Sequence, residues 1–194
     1  MISAILLAAG ESRRMGRFKQ LLELGERTFV EHCIENLLAS RVGEVVVVTG
    51  HRESEVRAAL KLAPVKFAHN ASYRSGMSSS IKRGVQAVSD KAKACLISLV
   101  DQPRIDTHTI DKLVAEYERS SRPIVIATFG GRRGHPIILD LSLKEEILGI
   151  DESIGLRQVI SAHASEIAYV EVYTNAVVED CDSPEDYERM KDRQ

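Results

Sequence analysis

A basic loop after the first apolar segment holds most of the residues that could do chemistry. It reads Leu7-Ala8-Ala9-Gly10-Glu11-Ser12-Arg13-Arg14-Met15-Gly16-Arg17-Phe18-Lys19. Small residues let the backbone approach a ligand closely, and a hydroxyl with two cations can contact several phosphate oxygens. The spacing fits neither the Gly-x-Gly-x-x-Gly loop nor the Gly-x-x-x-x-Gly-Lys-Ser/Thr loop. It predicts a different kind of triphosphate site, with contacts from Leu7, Ala8, Ala9, Gly10, Ser12, Arg14 and Lys19.

A serine-rich segment from residue 70 to 81 leads into a predicted helix whose apolar face is Ile81, Val85 and Val88. Free backbone N–H groups and short hydroxyls at a helix N-terminus can bind the polar edge of a base or an anionic oxygen. The alternative is that the serines only cap the helix. The candidate nucleotide contacts in this segment are Asn70, Gly76, Met77, Ser78 and Ser80.

Carboxylates follow two predicted strands. Asp101 ends the buried run 94–100, and Pro103 stops that strand from pairing further. Mg²⁺ is usually held by one or two protein carboxylates together with phosphate oxygens and water, so Asp101 is a candidate metal ligand. Asp180 and Asp182 share one side of an extended segment. Asp180 is the favoured second ligand, and Asp182 is kept in reserve because it also suits the first turn of the helix that follows.

A glycine- and arginine-rich stretch at 130–134 precedes a further predicted strand at 136–139. We interpret the stretch as a loop over the site. Its arginines could pair with a phosphate, and His135 could do the same, although a single histidine in a loop is often structural. The candidates for a second substrate are Arg132, Arg133, Gly134 and His135.

The elements that must position these residues alternate between strands and helices. Non-alternating apolar runs at 2–7, 45–48, 65–68, 94–100, 124–128 and 167–172 are typical of strands buried on both faces. Helix starts are predicted at Thr28, Asp106, Ser153 and Ser183. This order predicts a three-layer α/β/α fold with a mostly parallel, Rossmann-like sheet. With 194 residues, we expect one domain over residues 1–194.

Composition narrows the class of protein. Hydrophobic residues make up 44% and charged residues 28%, which is ordinary for a globular chain. A net charge of −2 disfavours nucleic-acid binding. Three separated cysteines and an N-terminus without a basic leader indicate reduced thiols, a cytoplasmic location and no membrane segment.

Together these motifs resemble those of the MobA-like NTP transferases, which include the molybdenum cofactor guanylyl- and cytidylyltransferases of the nucleotide-diphospho-sugar transferase superfamily. The first loop matches Leu-Ala-Ala-Gly-x-Ser-x-Arg-Met-Gly-x-x-Lys. Gly-Met-Ser-Ser-Ser-Ile, Asp-Gln-Pro and Gly-His-Pro follow in family order. The acidic ending is similar to Asp/Asn-x-Asp/Asn-Thr-Pro-Glu-Asp-Leu, with Ser183 in place of Thr and Tyr187 in place of Leu.

The resemblance implies transfer of CMP from CTP to molybdopterin-bound molybdenum, with release of pyrophosphate. It implies catalytic roles for Lys19, Arg14 and Asp101, Mg²⁺ on Asp101 and Asp180 or Asp182, and an acceptor site at residues 132–135. An apo-molybdoenzyme of the hydroxylase type is the implied protein partner. The alternatives are a GTP-dependent guanylyltransferase, a relative with another small phosphate acceptor, and a non-catalytic carrier. Hydride transfer is disfavoured because no nicotinamide or flavin fingerprint is present.

Overall fold

A computed structural model describes residues 1–192. The strands are β1 Ile2–Leu7, β2 Glu23–Leu24, β3 Arg27–Thr28, β4 Glu44–Thr49, β5 Lys66–His69, β6 Ala94–Leu99, β7 Ile124–Phe129, β8 Arg132–Asp140 and β9 Ile167–Glu171. The α-helices are α1 Phe29–Ala39, α2 Glu53–Ala59, α3 Met77–Ala87, α4 Thr107–Ser120, α5 Lys144–Leu148, α6 Arg157–Ala162 and α7 Pro184–Lys191. Within residues 1–192, none of the helices has the length and apolar character needed to cross a membrane.

The main sheet has seven strands in the order β5-β4-β1-β6-β8-β7-β9. Its neighbours pair in parallel except β8, which runs antiparallel to both β6 and β7. β2 and β3 form a separate antiparallel pair. The mostly parallel sheet flanked by helices is therefore confirmed.

Two apolar clusters fill the space on either side of the sheet. One contains residues of α1 and α4, such as Val30 and Ile110, packed on β1, β4 and β6. The other contains residues of α3, α5 and α6, such as Val85, Ile147 and Val159. All six residues of β1 and of β6 are buried, which explains why their sequences do not alternate.

Three predicted helix starts are confirmed by their side-chain caps. Thr28 forms a reciprocal capping box with Glu31 at the start of α1. Asp106 accepts a hydrogen bond of 2.8 Å from the backbone N–H of Thr109. Ser183 caps α7, which has proline at its first position. Each cap satisfies backbone donors that have no partner inside the helix.

Two sequence expectations are wrong in detail. α6 begins at Arg157, not at Ser153, because Asp151 binds the backbone and hydroxyl of Ser153 in a turn and Gly155 has a φ of +73°. The predicted loop at 130–134 is mostly strand, since β8 already begins at Arg132. Only Gly130 and Gly131, with φ of +57° and +75°, form the turn between β7 and β8.

Candidate functional site

Two cavities lie side by side at the edge of the sheet where β1 and β6 end, and Met77 lines both of them. The first has a volume of about 390 Å³, and its walls include the predicted residues Leu7, Ala9, Gly10, Ser12, Arg14, Lys19, Gly76, Met77, Ser80, Asp101 and Asp182. The second has a volume of about 530 Å³ and includes Ser78, Arg132, Arg133, Gly134, His135 and Asp180. All the candidate residues except Ala8 and Asn70 therefore line one of two adjoining cavities.

The loop after β1 is held in shape by its own polar groups. Ser12 adopts a left-handed φ of 56°, and its Oγ accepts a hydrogen bond of 3.1 Å from the backbone N–H of Lys19. The buried amide of Gln20 donates to the carbonyl oxygens of Ala8 at 3.1 Å and Gly10 at 2.9 Å. Gln20 was missed by sequence reasoning, although a glutamine directly after the motif lysine was a visible signal. Ala8 is fully buried behind the first cavity and supplies backbone to this network.

Lys19 bridges two carboxylates at the floor of the first cavity. Its Nζ lies 3.0 Å from Asp101 Oδ2 and 2.7 Å from Asp182 Oδ1. Burial lowers the pKa of Lys19, but the charges of Asp101 and Asp182 and their hydrogen bonds outweigh it, so the pKa is raised overall. Lys19, Asp101 and Asp182 therefore form one charged cluster. A triphosphate site of the predicted kind requires Lys19 and Asp101 to lie close together in this way.

The two acids of the ending occupy different positions. Asp182 faces the first cavity, where Arg14 Nη2 also contacts it at 2.8 Å. Asp180 lines the second cavity and accepts a hydrogen bond of 2.8 Å from Gln102 Nε2. Desolvation and then the charge of Asp101 raise the pKa of Asp180. Asp101 lines the first cavity, and its charge also acts on Asp180 and His135, which line the second.

The carboxylate oxygens around Asp101 are donor atoms that suit a divalent cation. Asp101 Oδ1 is buried and has no hydrogen-bond partner among residues 1–192, while its Oδ2 is taken by Lys19. In the part of the chain described here, no three His, Cys, Asp or Glu side chains are arranged to bind a metal. Mg²⁺ usually takes one or two protein carboxylates and completes its shell with substrate phosphates and water, so the buried Asp101 Oδ1 is an oxygen that fits such an ion. The residues present fit a metal held mainly by Asp101, with Asp180 or Asp182.

The serine segment divides between the two cavities. Ser80 lines the first, and Ser78 lines the second. Asn70 is buried and lines neither, because its Nδ2 donates to Ser79 Oγ at 2.9 Å and to Ser80 Oγ at 3.0 Å. Gly76, with a φ of +117°, precedes the first turn of α3. Asn70 therefore orients the hydroxyl of Ser80, which lines the first cavity.

The second cavity combines basic and apolar walls. The Arg133 guanidinium lies over the Tyr169 ring, 5.0 Å from its centroid. A Cβ on Gly134 would lie only 1.8 Å from the carbonyl oxygen of Val177, so this glycine is required by close backbone packing. Burial lowers the pKa of His135 to about 4, against the opposing charge of Asp101. His135 is therefore a neutral imidazole near pH 7, and the arginines supply the positive charge of this wall.

We expect direct titration by NMR to find His135 neutral at pH 7, with protonation only near pH 4. The unfolded chain protonates this imidazole near its ordinary pKa of about 6.5. The burial of neutral His135 therefore lowers the free energy of unfolding as pH falls from about 6.5 toward 4, with no such effect above that range. A His135→Gln variant lacks this component. A His135 titration midpoint at or above 6.5 would contradict the assignment of a neutral group.

Comparison with known proteins finds a matching family and relatives that cover nearly the whole chain. Residues 4–167 match the family described as the MobA-like NTP transferase domain. A nicotine blue oxidoreductase from Paenarthrobacter nicotinovorans is 30% identical, over 97% of this chain and 96% of the relative. A molybdenum cofactor cytidylyltransferase from Escherichia coli strain K12 is 27% identical, over 99% of this chain and 96% of the relative.

Similarity of fold extends to solved structures. A nucleotidyl transferase from Methanothermobacter superposes with a TM-score of 0.87 at 28% identity, covering 100% of this chain and 97% of the other. The family match spans β1 through the start of β9 and therefore includes the first loop, Asp101 and the 132–135 strand. On these grounds the chain belongs to the MobA-like NTP transferase family, whose chemistry is nucleotidyl transfer.

Proposed function

We propose that the protein transfers CMP from CTP to the terminal phosphate of molybdopterin-bound molybdenum and releases pyrophosphate. The observation that carries the proposal is the contact of Lys19 Nζ with Asp101 at 3.0 Å in a cavity walled by the basic loop. A relative named for this activity aligns with nearly the whole chain. Residues 1–194 would act as one catalytic domain.

The reaction needs positioning and charge neutralisation rather than a covalent nucleophile. An oxygen of the acceptor phosphate attacks the α-phosphorus of CTP, and the bond from that phosphorus to the oxygen bridging the β-phosphorus breaks. Pyrophosphate leaves with the electron pair. Lys19 and Arg14 hold positive charge beside the triphosphate, and the loop fixed by Gln20 places its backbone against it.

The proposal includes Mg²⁺ as the cofactor. Asp101 would hold it, with Asp180 or Asp182 as the second carboxylate. When bound, the ion would neutralise charge that develops on phosphate oxygens. Arg132 and Arg133 would bind the acceptor phosphate, and neutral His135 would act as a hydrogen-bonding group beside them.

The proposal places the acceptor in the second cavity and the nucleotide in the first. The product would then pass to an apo-molybdoenzyme of the hydroxylase type. Because the two cavities adjoin at Met77, the acceptor phosphate would approach the α-phosphorus from the second cavity while pyrophosphate stays in the first.

The decisive experiment is pyrophosphate release with purified protein, Mg²⁺ and molybdopterin-bound molybdenum, run in parallel with CTP and GTP. We expect release and dinucleotide formation with CTP at a rate at least tenfold above GTP. Equal or reversed rates would replace the cytidylyl assignment with guanylyl transfer. Nucleotide binding without any release would support a non-catalytic carrier. Replacing Mg²⁺ with Mn²⁺ in the same assay identifies the preferred ion.

A further inference from the structure

The first cavity is crossed by an ion-pair bridge that the proposed chemistry does not use. Glu11 comes from the loop after β1, and Arg74 comes from the short turn Tyr73–Ser75 between β5 and α3. Glu11 Oε1 lies 3.0 Å from Arg74 Nε, and Glu11 Oε2 lies 2.6 Å from Arg13 Nε. All three side chains line the cavity. The bridge therefore joins the two walls between which a nucleotide would lie.

The placement of charge in the bridge is unusual for a site built for an anion. The Glu11 side chain is only 17% exposed, while the Arg74 and Arg13 side chains are 69% and 78% exposed. The pKa of Glu11 is lowered by its hydrogen bonds to Arg74 and Arg13, so it is a carboxylate at neutral pH. The mostly buried Glu11 carboxylate thus pairs with two guanidinium groups that are largely exposed to solvent. Because Arg74 and Arg13 are exposed, their side chains have room to turn toward another anion.

We propose that Arg74 is a further phosphate-binding residue and that Glu11 holds it in the free protein. A triphosphate carries several negative charges and offers guanidinium groups the same paired oxygens that Glu11 offers. It would displace Glu11 from Arg74 and Arg13, and the two arginines would then bind the phosphates. Glu11 acts in this scheme as a competitor that lowers triphosphate affinity. The inference rests on the proposed nucleotide site, but not on the identity of the base or acceptor.

Affinity measurements by calorimetry test the bridge directly, with CTP and with inorganic tripolyphosphate as probes and no acceptor present. We expect Arg74→Ala to weaken both ligands about tenfold, since a hydrogen bond to a charged group is lost. We expect Glu11→Gln to tighten both about three- to fivefold, because exposed ion pairs of modest strength no longer compete. When Arg74→Ala is already present, Glu11→Gln should increase the affinity for both ligands by a smaller factor, because only Arg13 is then released from Glu11.

A second ion pair of the chain provides the matched control. Arg119 and Glu116 lie 2.8 Å apart on α4 with side-chain exposures of 75% and 20%, and neither lines the two cavities. Arg119→Ala and Glu116→Gln should leave both affinities unchanged. Cytidine, which has no phosphate, should bind the Glu11 and Arg74 variants as it binds the unaltered protein.

Two results would overturn the proposal. One is weaker or unchanged triphosphate binding in Glu11→Gln, which would mean that the Glu11 ion pairs only stabilise the structure of the loop. The other is unchanged binding in both Arg74→Ala and Arg74→Lys. If the unaltered protein showed no cytidylyl transfer but the variants changed tripolyphosphate affinity as expected, only the proposed reaction would be refuted. If it transferred CMP normally but the variants did not change that affinity, only the proposed role of Glu11 and Arg74 would be refuted.

Discussion

Replacing Asp101 with Asn is expected to lower kcat by about 10²–10³-fold while leaving the fold intact, a loss typical of removing one preorganised charged group. The substitution keeps the shape of the side chain but removes the negative charge beside Lys19 in the first cavity. Folding should survive because Lys19 keeps its 2.7 Å contact with Asp182. Steady-state pyrophosphate release and the thermal melting temperature are the measurements.

Measurements of CTP binding distinguish the expected loss of kcat in Asp101→Asn from damage to the nucleotide site. Without metal, CTP should bind the Asp101→Asn variant at least as tightly as the unaltered protein, because a negative charge near the phosphates is gone. Mn²⁺ binding in the presence of CTP, followed by electron paramagnetic resonance, should weaken in the variant. Asp90→Asn is the control, since Asp90 is exposed and outside both cavities. Near-normal kcat in Asp101→Asn would remove Asp101 from the mechanism.

Replacing Lys19 with Met should impair both turnover and nucleotide binding. We expect kcat to fall by about 10²–10³-fold and CTP affinity to fall by about tenfold. In the proposed reaction the lysine supplies positive charge to the triphosphate, and in the structure it bridges Asp101 and Asp182. Methionine has a similar length but leaves the two carboxylates without their shared cation. The measurements are kcat, KM for CTP and the calorimetric affinity of CTP.

The opposite binding effects of the two substitutions make them a stringent pair. Lys61→Met is the control, because Lys61 is exposed and lines neither cavity of the site. If Lys19→Met bound CTP normally and turned over normally, the floor of the first cavity could not be the triphosphate site. Magnesium in excess should not restore the variant, because the missing charge belongs to the protein.

The order of strands and helices was accessible from local sequence patterns. β-branched runs without alternation predicted buried strands, and Thr28, Asp106 and Ser183 predicted helix starts by their capping chemistry. The start of α6 was not accessible in the same way. Ser153 looks like a cap in the sequence, but Asp151 competes for its backbone N–H and hydroxyl, and that competition depends on a turn around Gly155.

The charged residues of the sequence motifs could be predicted as parts of the candidate site. Contacts between residues far apart in the sequence were harder to predict. Lys19 and Asp101 are 82 positions apart, yet parallel strand ends meet at one edge, so their proximity was predictable. The division of Asp180 and Asp182 between two cavities was not, because it depends on Gln102, which binds Asp180 across the fold. The Glu11 to Arg74 bridge was missed for the same reason, whereas Gln20 binds carbonyl oxygens only 10 and 12 positions away and could have been found from its place after Lys19.

The reversed direction of β8 has a consequence for how the two substrates are chosen. A strand that runs against its neighbours begins where they end, so Arg132 to His135 enter the same edge as Asp101 without any crossover helix. The four residues proposed to bind the second substrate, Arg132 to His135, lie on the β7–β8 hairpin, which is separate in the chain from the loop proposed to bind the triphosphate. If the proposed function holds, substitutions in that hairpin would change the recipient molecule without altering the loop that binds the nucleotide.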